Sequence, residues 1–316
     1  MSSSTNAKQS WIWVWQEYNT MLAADGPVFS KPAAFTHVSP ALYNLNKNGS
    51  YSSGVADLNS ADFDGMSAKQ VADAVHAAGL KVIPLMYAGA GNNGIDTGID
   101  NILGNATTQT NFITAMVGEA VDKGYDGYNL DWEVNDANTN NYNNYGTKLV
   151  SFLTAFTAAL HQHNMILSFD TAGWYTRECA DNGLVDLSKI GHSVDQMIME
   201  DYSGTFLSGG NTLGTKCAAS IPGGNNCDND FVGELNTMCD LPAGVGNIGL
   251  ISPYGGEPST NKFVDKALAA VDAYGFRAVS LWPDNGTIDD TGVPTKSGDA
   301  TVKTWRTWLA WWLTQP

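Results

Sequence analysis

Basic residues are scarce in this sequence: Lys and Arg together number 16 against 32 Asp and Glu, a formal charge of −16. So acidic a chain repels phosphate backbones and anionic lipid, which argues against a nucleic-acid or anionic-membrane partner. A neutral or cationic ligand suits it, although a solvated acidic surface is the plainer explanation. Cysteine is also sparse, with Cys179, Cys217, Cys227 and Cys239 the full set. No CxxC pair or histidine-rich spacing accompanies them, which argues against a zinc site. Their even number at loop-like positions suits an oxidising compartment, and three pairings are possible. No run of eighteen apolar residues is present, so no membrane-spanning helix is expected. Met1-Ser2-Ser3-Ser4-Thr5 is polar and lacks the pattern of a secretory leader. Residues 1–10 are read as a disordered or expression-derived tail, and 11–316 as one domain. Nothing in the chain suggests a metal or an organic cofactor.

What is present is ample apolar material, 43% of 316 residues, enough for one large core or two ordinary ones. The chain order favours one, because short apolar strands alternate with helices without a break. Strands are predicted at Trp11–Trp15, Phe35–Ser39, Leu80–Met86, Tyr125–Glu133, Met165–Asp170, Val194–Tyr202, Ile248–Ser252 and Ala278–Trp282. Between them, Ser67-Ala68-Lys69-Gln70 has the spacing of a capping box ahead of a helix closed by Gly79. Further helices are predicted over 108–123, 142–163, 261–274 and 302–313. Trp305, Trp308, Trp311 and Trp312 recur at helical spacing on the last of these, a stripe that suits packing better than sugar binding. Asn48, Asn105 and Asn285 stand in glycosylation sequons, relevant only in a source that glycosylates.

Eight strands with intervening helices imply parallel pairing through right-handed crossovers, and closure at eight gives a (β/α)8 TIM barrel. Its active site lies at the carboxyl ends of the strands. Tyr18, Asn44, Asn92, Glu133, Asp170, Trp174, Tyr202, Tyr254 and Trp282 all fall there. The fourth strand is the most informative. Gly127, Asn129, Asp131 and Glu133 alternate onto one face, with Tyr128, Leu130, Trp132 and Val134 on the other. Carboxylates and a carboxamide in register on the inner face of a buried strand are expensive to desolvate unless put to use. Catalysis is therefore the favoured reading over a satisfied polar core.

Asp126-Gly127-Tyr128-Asn129-Leu130-Asp131-Trp132-Glu133 resembles the fourth-strand signature Asp-Gly-x-Asp-x-Asp-x-Glu of glycoside hydrolase family 18, the chitinases and endo-β-N-acetylglucosaminidases. Asn129 stands where the middle Asp usually does, as in lysosomal chitobiase-like members. Two further departures are Tyr87-Ala88-Gly89-Ala90 in place of Ser-x-Gly-Gly, and Glu200-Asp201-Tyr202-Ser203 in place of Met-x-Tyr-Asp. The resemblance implies a TIM barrel and a retaining hydrolase acting after N-acetylglucosamine, with no cofactor. It implies Glu133 as general acid, Asp131 as acceptor of the substrate amide N–H, and Tyr202 as partner of the acetamido oxygen. Asn129 would hydrogen-bond Asp131 from below, and Trp282 would form the floor under the sugar. Tyr254, Trp174 and Asp170 are candidates for substrate contact; Asp126 and Gly127 would support the strand.

The interval Tyr254–Ala278 is too short for the α+β domain that some members insert there. An open cleft is expected, suited to chitin oligomers or to release of N-glycans. A chitin-binding lectin on the same barrel is the competing class, but such proteins lose the acid that Glu133 retains. A monomer is expected, secreted or in another oxidising compartment, with Cys217 bonded to Cys227 and Cys179 to Cys239.

Overall fold

The computed structural model describes residues 7–14, 22–23, 26–46, 49–52, 66–89, 97–133, 145–171, 187–199, 245–251, 271–272, 275–282 and 305–316. In chain order the strands are β1 (Gln9–Val14), β2 (His37–Leu45), β3 (Tyr51–Ser52), β4 (Lys81–Val82), β5 (Leu85–Gly89), β6 (Gly127–Glu133), β7 (Ile166–Thr171), β8 (Gln196–Met199), β9 (Gly246–Ile251) and β10 (Ala278–Trp282). Helices are α1 (Pro27–Ser30), α2 (Ala68–Ala77), α3 (Thr97–Gly104), α4 (Ala106–Lys123), α5 (Tyr145–His161), α6 (Leu187–Gly191) and α7 (Trp305–Leu313).

Pairing runs β1-β10-β9-β8-β7-β6-β5-β2, and β1 also pairs with β2, which closes the sheet. Trp11 of β1 is in register with Ser280 on one side and His37 on the other. Every pairing around this ring is parallel. The chain is thus a (β/α)8 barrel, with β4 and β5 forming one strand position. Ile83-Pro84 interrupts that position because Pro84 has no N–H to give the ladder. Its carbonyl still accepts from Asn129 N–H at 2.9 Å.

Several boundaries differ from the sequence reading by a few residues, and two of the differences bear on the barrel. β2 continues past Ser39, the end of the predicted strand, to Leu45, and Tyr51–Ser52 pairs back on it as a hairpin. Pro40 is tolerated within β2, and the register with β5 shifts between Ala41 and Tyr43. The first strand begins at Gln9, inside the stretch read as a tail, and Lys8 before it is buried. Lys8 Nζ lies 3.0 Å from Asp272 Oδ1 and 4.7 Å from the ring centre of Trp312, whose indole N–H donates to the same oxygen. Ion pair, indole and ring together tie the start of the chain to α7. Within the aromatic stripe, Trp312 is therefore a packing residue.

Local chemistry sets the helix ends. Ser67 and Gln70 form a reciprocal capping box on α2. Asn105 Oδ1 accepts from Thr107 and Thr108 N–H at the start of α4, and Gly124 ends it at φ 78°. Only a residue without Cβ adopts that conformation freely.

Packing separates into two cores. Outward residues of the strands join the helices in a large shell that includes Ile12, Val38, Tyr128, Leu130, Trp132, Phe152 and Phe156. Trp132 stacks on Phe152 with ring centres 5.1 Å apart. Inside the barrel a smaller cluster comprises Trp11, Trp13, Ala41, Ile83, Leu85 and Ile198. Burying each large apolar side chain contributes about 1.5–3 kcal/mol, so alternation along the strands feeds both cores at once.

A repeated device fastens the amino-terminal rim. Thr36, just before β2, accepts from Ser10 N–H at 2.9 Å. Asp126, just before β6, accepts from Val82 N–H at 2.9 Å and contacts His76 of α2. Asp195, just before β8, accepts from Leu167 N–H at 2.9 Å and contacts His161 of α5. In each case a polar residue ahead of one strand satisfies the second N–H of the strand before it.

Gly127 serves the same rim by its lack of a side chain. A Cβ there would lie 2.0 Å from the carbonyl oxygen of Ile166 on β7. Gly127→Ala should therefore destabilise the fold by about 2–4 kcal/mol, since backbone rather than a flexible side chain must give way. Thermal unfolding checks this; an unchanged melting temperature would mean that β6 and β7 can separate there cheaply.

Candidate active site

β6 carries its polar residues on the face that alternation assigns them. Tyr128, Leu130 and Trp132 belong to the outer shell. Asn129 and Asp131 point into the barrel and are 0% and 2% exposed. Glu133 is the last residue of β6, in register with Gly89 at the end of β5. Alternation along the strand assigns it to the same face as Asp131, about 6.6 Å further along. At that spacing the two cannot face each other across a sugar as a nucleophile and an acid would.

Asn129 is the hub of the interior. Its Oδ1 accepts from the indole N–H of Trp13 on β1 at 3.1 Å and from Ser39 Oγ on β2 at 3.5 Å. Its Nδ2 donates to Ser168 Oγ at 2.9 Å and to Asp170 Oδ1 at 2.6 Å, both on β7. Both amide hydrogens are thus taken by β7, whereas the sequence reading directed Asn129 towards Asp131. The correction has a geometric reason. Asn129 is in direct register with Ser168 across the sheet, while Asp131 lies two residues along its own strand.

Asp170, expected as a substrate contact, is 3% exposed and bonded within the barrel. Asp126 lies at the opposite rim, where its bonds to Val82 and His76 brace the amino end of β6. Trp282 is the last residue of β10, in register with Ile251. Asn44 lies on β2, in register with Tyr87. Tyr202, Tyr254, Trp174, Tyr18, Asn92 and the four cysteines lie outside the described residues.

Sequence reasoning missed Trp13, Ser39 and Ser168. The available signal was alternation. Trp11 and Trp13 share a parity on β1, and Ser168 shares one with Asp170 on β7. Nothing local says that those parities meet at Asn129.

Below the hub lies an uncharged polar layer. Gln196 Nε2 donates to Gln9 Oε1 at 2.6 Å, Asn247 Nδ2 to Gln196 Oε1 at 2.8 Å, and Ser280 Oγ to Asn247 Oδ1 at 2.9 Å. His37 stacks on Trp11 with ring centres 4.4 Å apart and contacts Thr36 Oγ1 through Nδ1 at 2.7 Å. Burial, helped by Lys81, pushes its pKa down to about 3, so it is neutral at ordinary pH. A neutral, stacked imidazole in the barrel floor cannot serve as the acid. Among the described residues, no three His, Cys, Asp or Glu side chains converge as the ligands of a metal would.

No family model matches this sequence, and no curated protein matches it. Solved structures do match. A chitinase from Chromobacterium violaceum aligns over 98% of this chain and 100% of its own, with a TM-score of 0.66 at 15% identity. Catalytic domain 2 of the Group II chitinase of Ostrinia furnacalis aligns over 97% of this chain and 96% of its own, with a TM-score of 0.68 at 12% identity. The spore cortex-lytic enzyme SleL of Bacillus megaterium gives 0.60 at 12% identity, over 98% of this chain and 75% of that one. The chain has a chitinase-like (β/α)8 fold.

Proposed function

We propose that this protein is a retaining glycoside hydrolase that cleaves β-1,4 linkages after N-acetylglucosamine, with the substrate's own acetamido group as nucleophile. One observation carries the reading. Asp131 is buried on the inner face of β6, two residues short of Glu133 at the strand's carboxyl end. A carboxylate held out of water below the mouth of a barrel favours a cation formed just above it. The chitinases and the cortex-lytic enzyme among the structural neighbours support this choice of substrate class.

In this mechanism Glu133 protonates the glycosidic oxygen and later takes a proton from the incoming water. The acetamido oxygen attacks the anomeric carbon, and Asp131 accepts the amide N–H and stabilises the oxazolinium cation. Tyr202 orients the acetamido oxygen; Trp282, Tyr254 and Trp174 offer faces for the sugar rings. Secretion, or another oxidising compartment, belongs to the same reading, with Cys217 bonded to Cys227 and Cys179 to Cys239.

The test is incubation with chitin oligomers and, separately, with a high-mannose glycoprotein, the products being weighed by mass spectrometry. Shortened chitin oligomers are the expected result. Release of intact glycan alone would move the activity to N-glycans. Binding to chitin without any product would replace the enzyme by a lectin.

A further inference from the structure

The strongest unexplained feature is a second buried carboxylate beside the first. β6 and β7 pair Asn129 with Ser168 and Leu130 with Phe169. One step further in that register, Asp131 and Asp170 occupy neighbouring positions, and both are buried. The conformation of Asp170 is dictated from below. An indole N–H can only donate, so Trp13 must meet the carbonyl oxygen of Asn129. The amide nitrogen is thereby turned towards β7, where it donates to Asp170 Oδ1. Trp13 on β1 thus fixes a carboxylate on β7 through a residue of β6.

We propose that Asp170 is a positioning residue that forms a proton-sharing pair with Asp131 across β6 and β7. Two ionised carboxylates on adjacent strands of a dry interior repel, and one retained proton removes the repulsion. Asn129 stabilises the ionised form of Asp170, so the resting proton sits on Asp131. Among the described residues, the other titratable groups on the inner faces of the neighbouring strands are Tyr87 on β5 and His37 on β2. The inner positions of β8 carry Gln196 and Ile198, that of β1 carries Trp13, and the open end of β6 carries Glu133. Tyr87 is uncharged at neutral pH, as is His37.

The consequence for turnover rests on the role proposed for Asp131 above. As positive charge develops on the substrate, the O–H bond on Asp131 breaks and one on Asp170 forms. Asp131 is then ionised towards the cation, and the proton stays within the pair.

The experiment is carbon NMR of the protein labelled at aspartate carboxyl carbons and titrated with pH, which needs no turnover. The titration is run in Glu133→Gln, which removes the other carboxylate of that strand face, and there Asp131 should titrate in two coupled steps. Adding Asp170→Asn should reduce them to one, and Asp170→Asn alone should lower kcat at least about tenfold with KM retained. Asp131→Asn in the Glu133→Gln protein should reduce the titration of Asp170 to one step, and it carries the same readout should the Asp170 variant not fold. A single-step titration of Asp131 with Asp170 present, or an unaltered curve on adding Asp170→Asn, overturns the proposal. A wild type that cleaves no N-acetylated glycan defeats the functional reading instead, and the pair still stands or falls on the titration.

Discussion

Glu133→Gln is expected to lower kcat by about 10³-fold or more while leaving KM for an N-acetylated oligomer within about twofold. The substitution keeps the shape of the side chain and removes the proton that the leaving oxygen needs. Glu133 ends β6 against Gly89, and the backbone that presents it is held by the β5–β6 ladder. The ladder does not depend on the side chain, so the melting temperature should be unchanged. The loss should therefore fall on the chemical step alone. Steady-state kinetics on a chitin oligomer, with thermal unfolding alongside, provides the measurement. A variant retaining a tenth of wild-type turnover would transfer the acid's role elsewhere. A rise in KM without a fall in kcat would make Glu133 a binding residue.

The second large effect concerns the substrate. With the acetamido oxygen as nucleophile, cleavage requires an N-acetyl group on the sugar whose anomeric bond breaks. Fully deacetylated chitosan and cellulose oligomers should be inert, at least about 10³-fold slower, however well they bind. The spacing on β6 is the physical ground. Asp131 and Glu133 lie on one strand face, about 6.6 Å apart along it, rather than on opposite sides of a sugar. No second carboxylate of β6 can then replace the missing acetamido group by attacking from below. Two inversions at one carbon should give a first product of β configuration. Proton NMR of fresh product, beside the deacetylated control, decides both points. A first product of α configuration, or comparable rates on the two substrates, would refute the mechanism and leave the barrel unaffected.

Both effects could be argued because the fourth strand is legible on its own. Strict alternation from Gly127 to Glu133 assigns each residue to a face before any neighbour is known. Tyr128, Leu130 and Trp132 lie in the outer shell, and Asn129 and Asp131 inside, as the parity requires. The capping box at Ser67 and the glycine cap at Gly124 are legible for a similar reason, since each is complete within a few residues. Pro84 and the bulge after Ala41 are harder. Their effect depends on which strand lies alongside, and that partner is distant in the chain.

By itself, the sequence determined which residues are apolar at a period of two, where the capped ends of α2 and α4 fall, and that carboxylates share one face of one strand. These properties are local, being set by backbone geometry and by the cost of exposing apolar surface. Only the tertiary structure decided that Asn129 turns to Asp170, that Trp13 sets its orientation, and that Lys8 is sealed against α7. Those choices depend on closing the barrel, which brings β1, β6 and β7 around one interior. Register between strands is a property of the pair rather than of either segment, and no single stretch of sequence contains it.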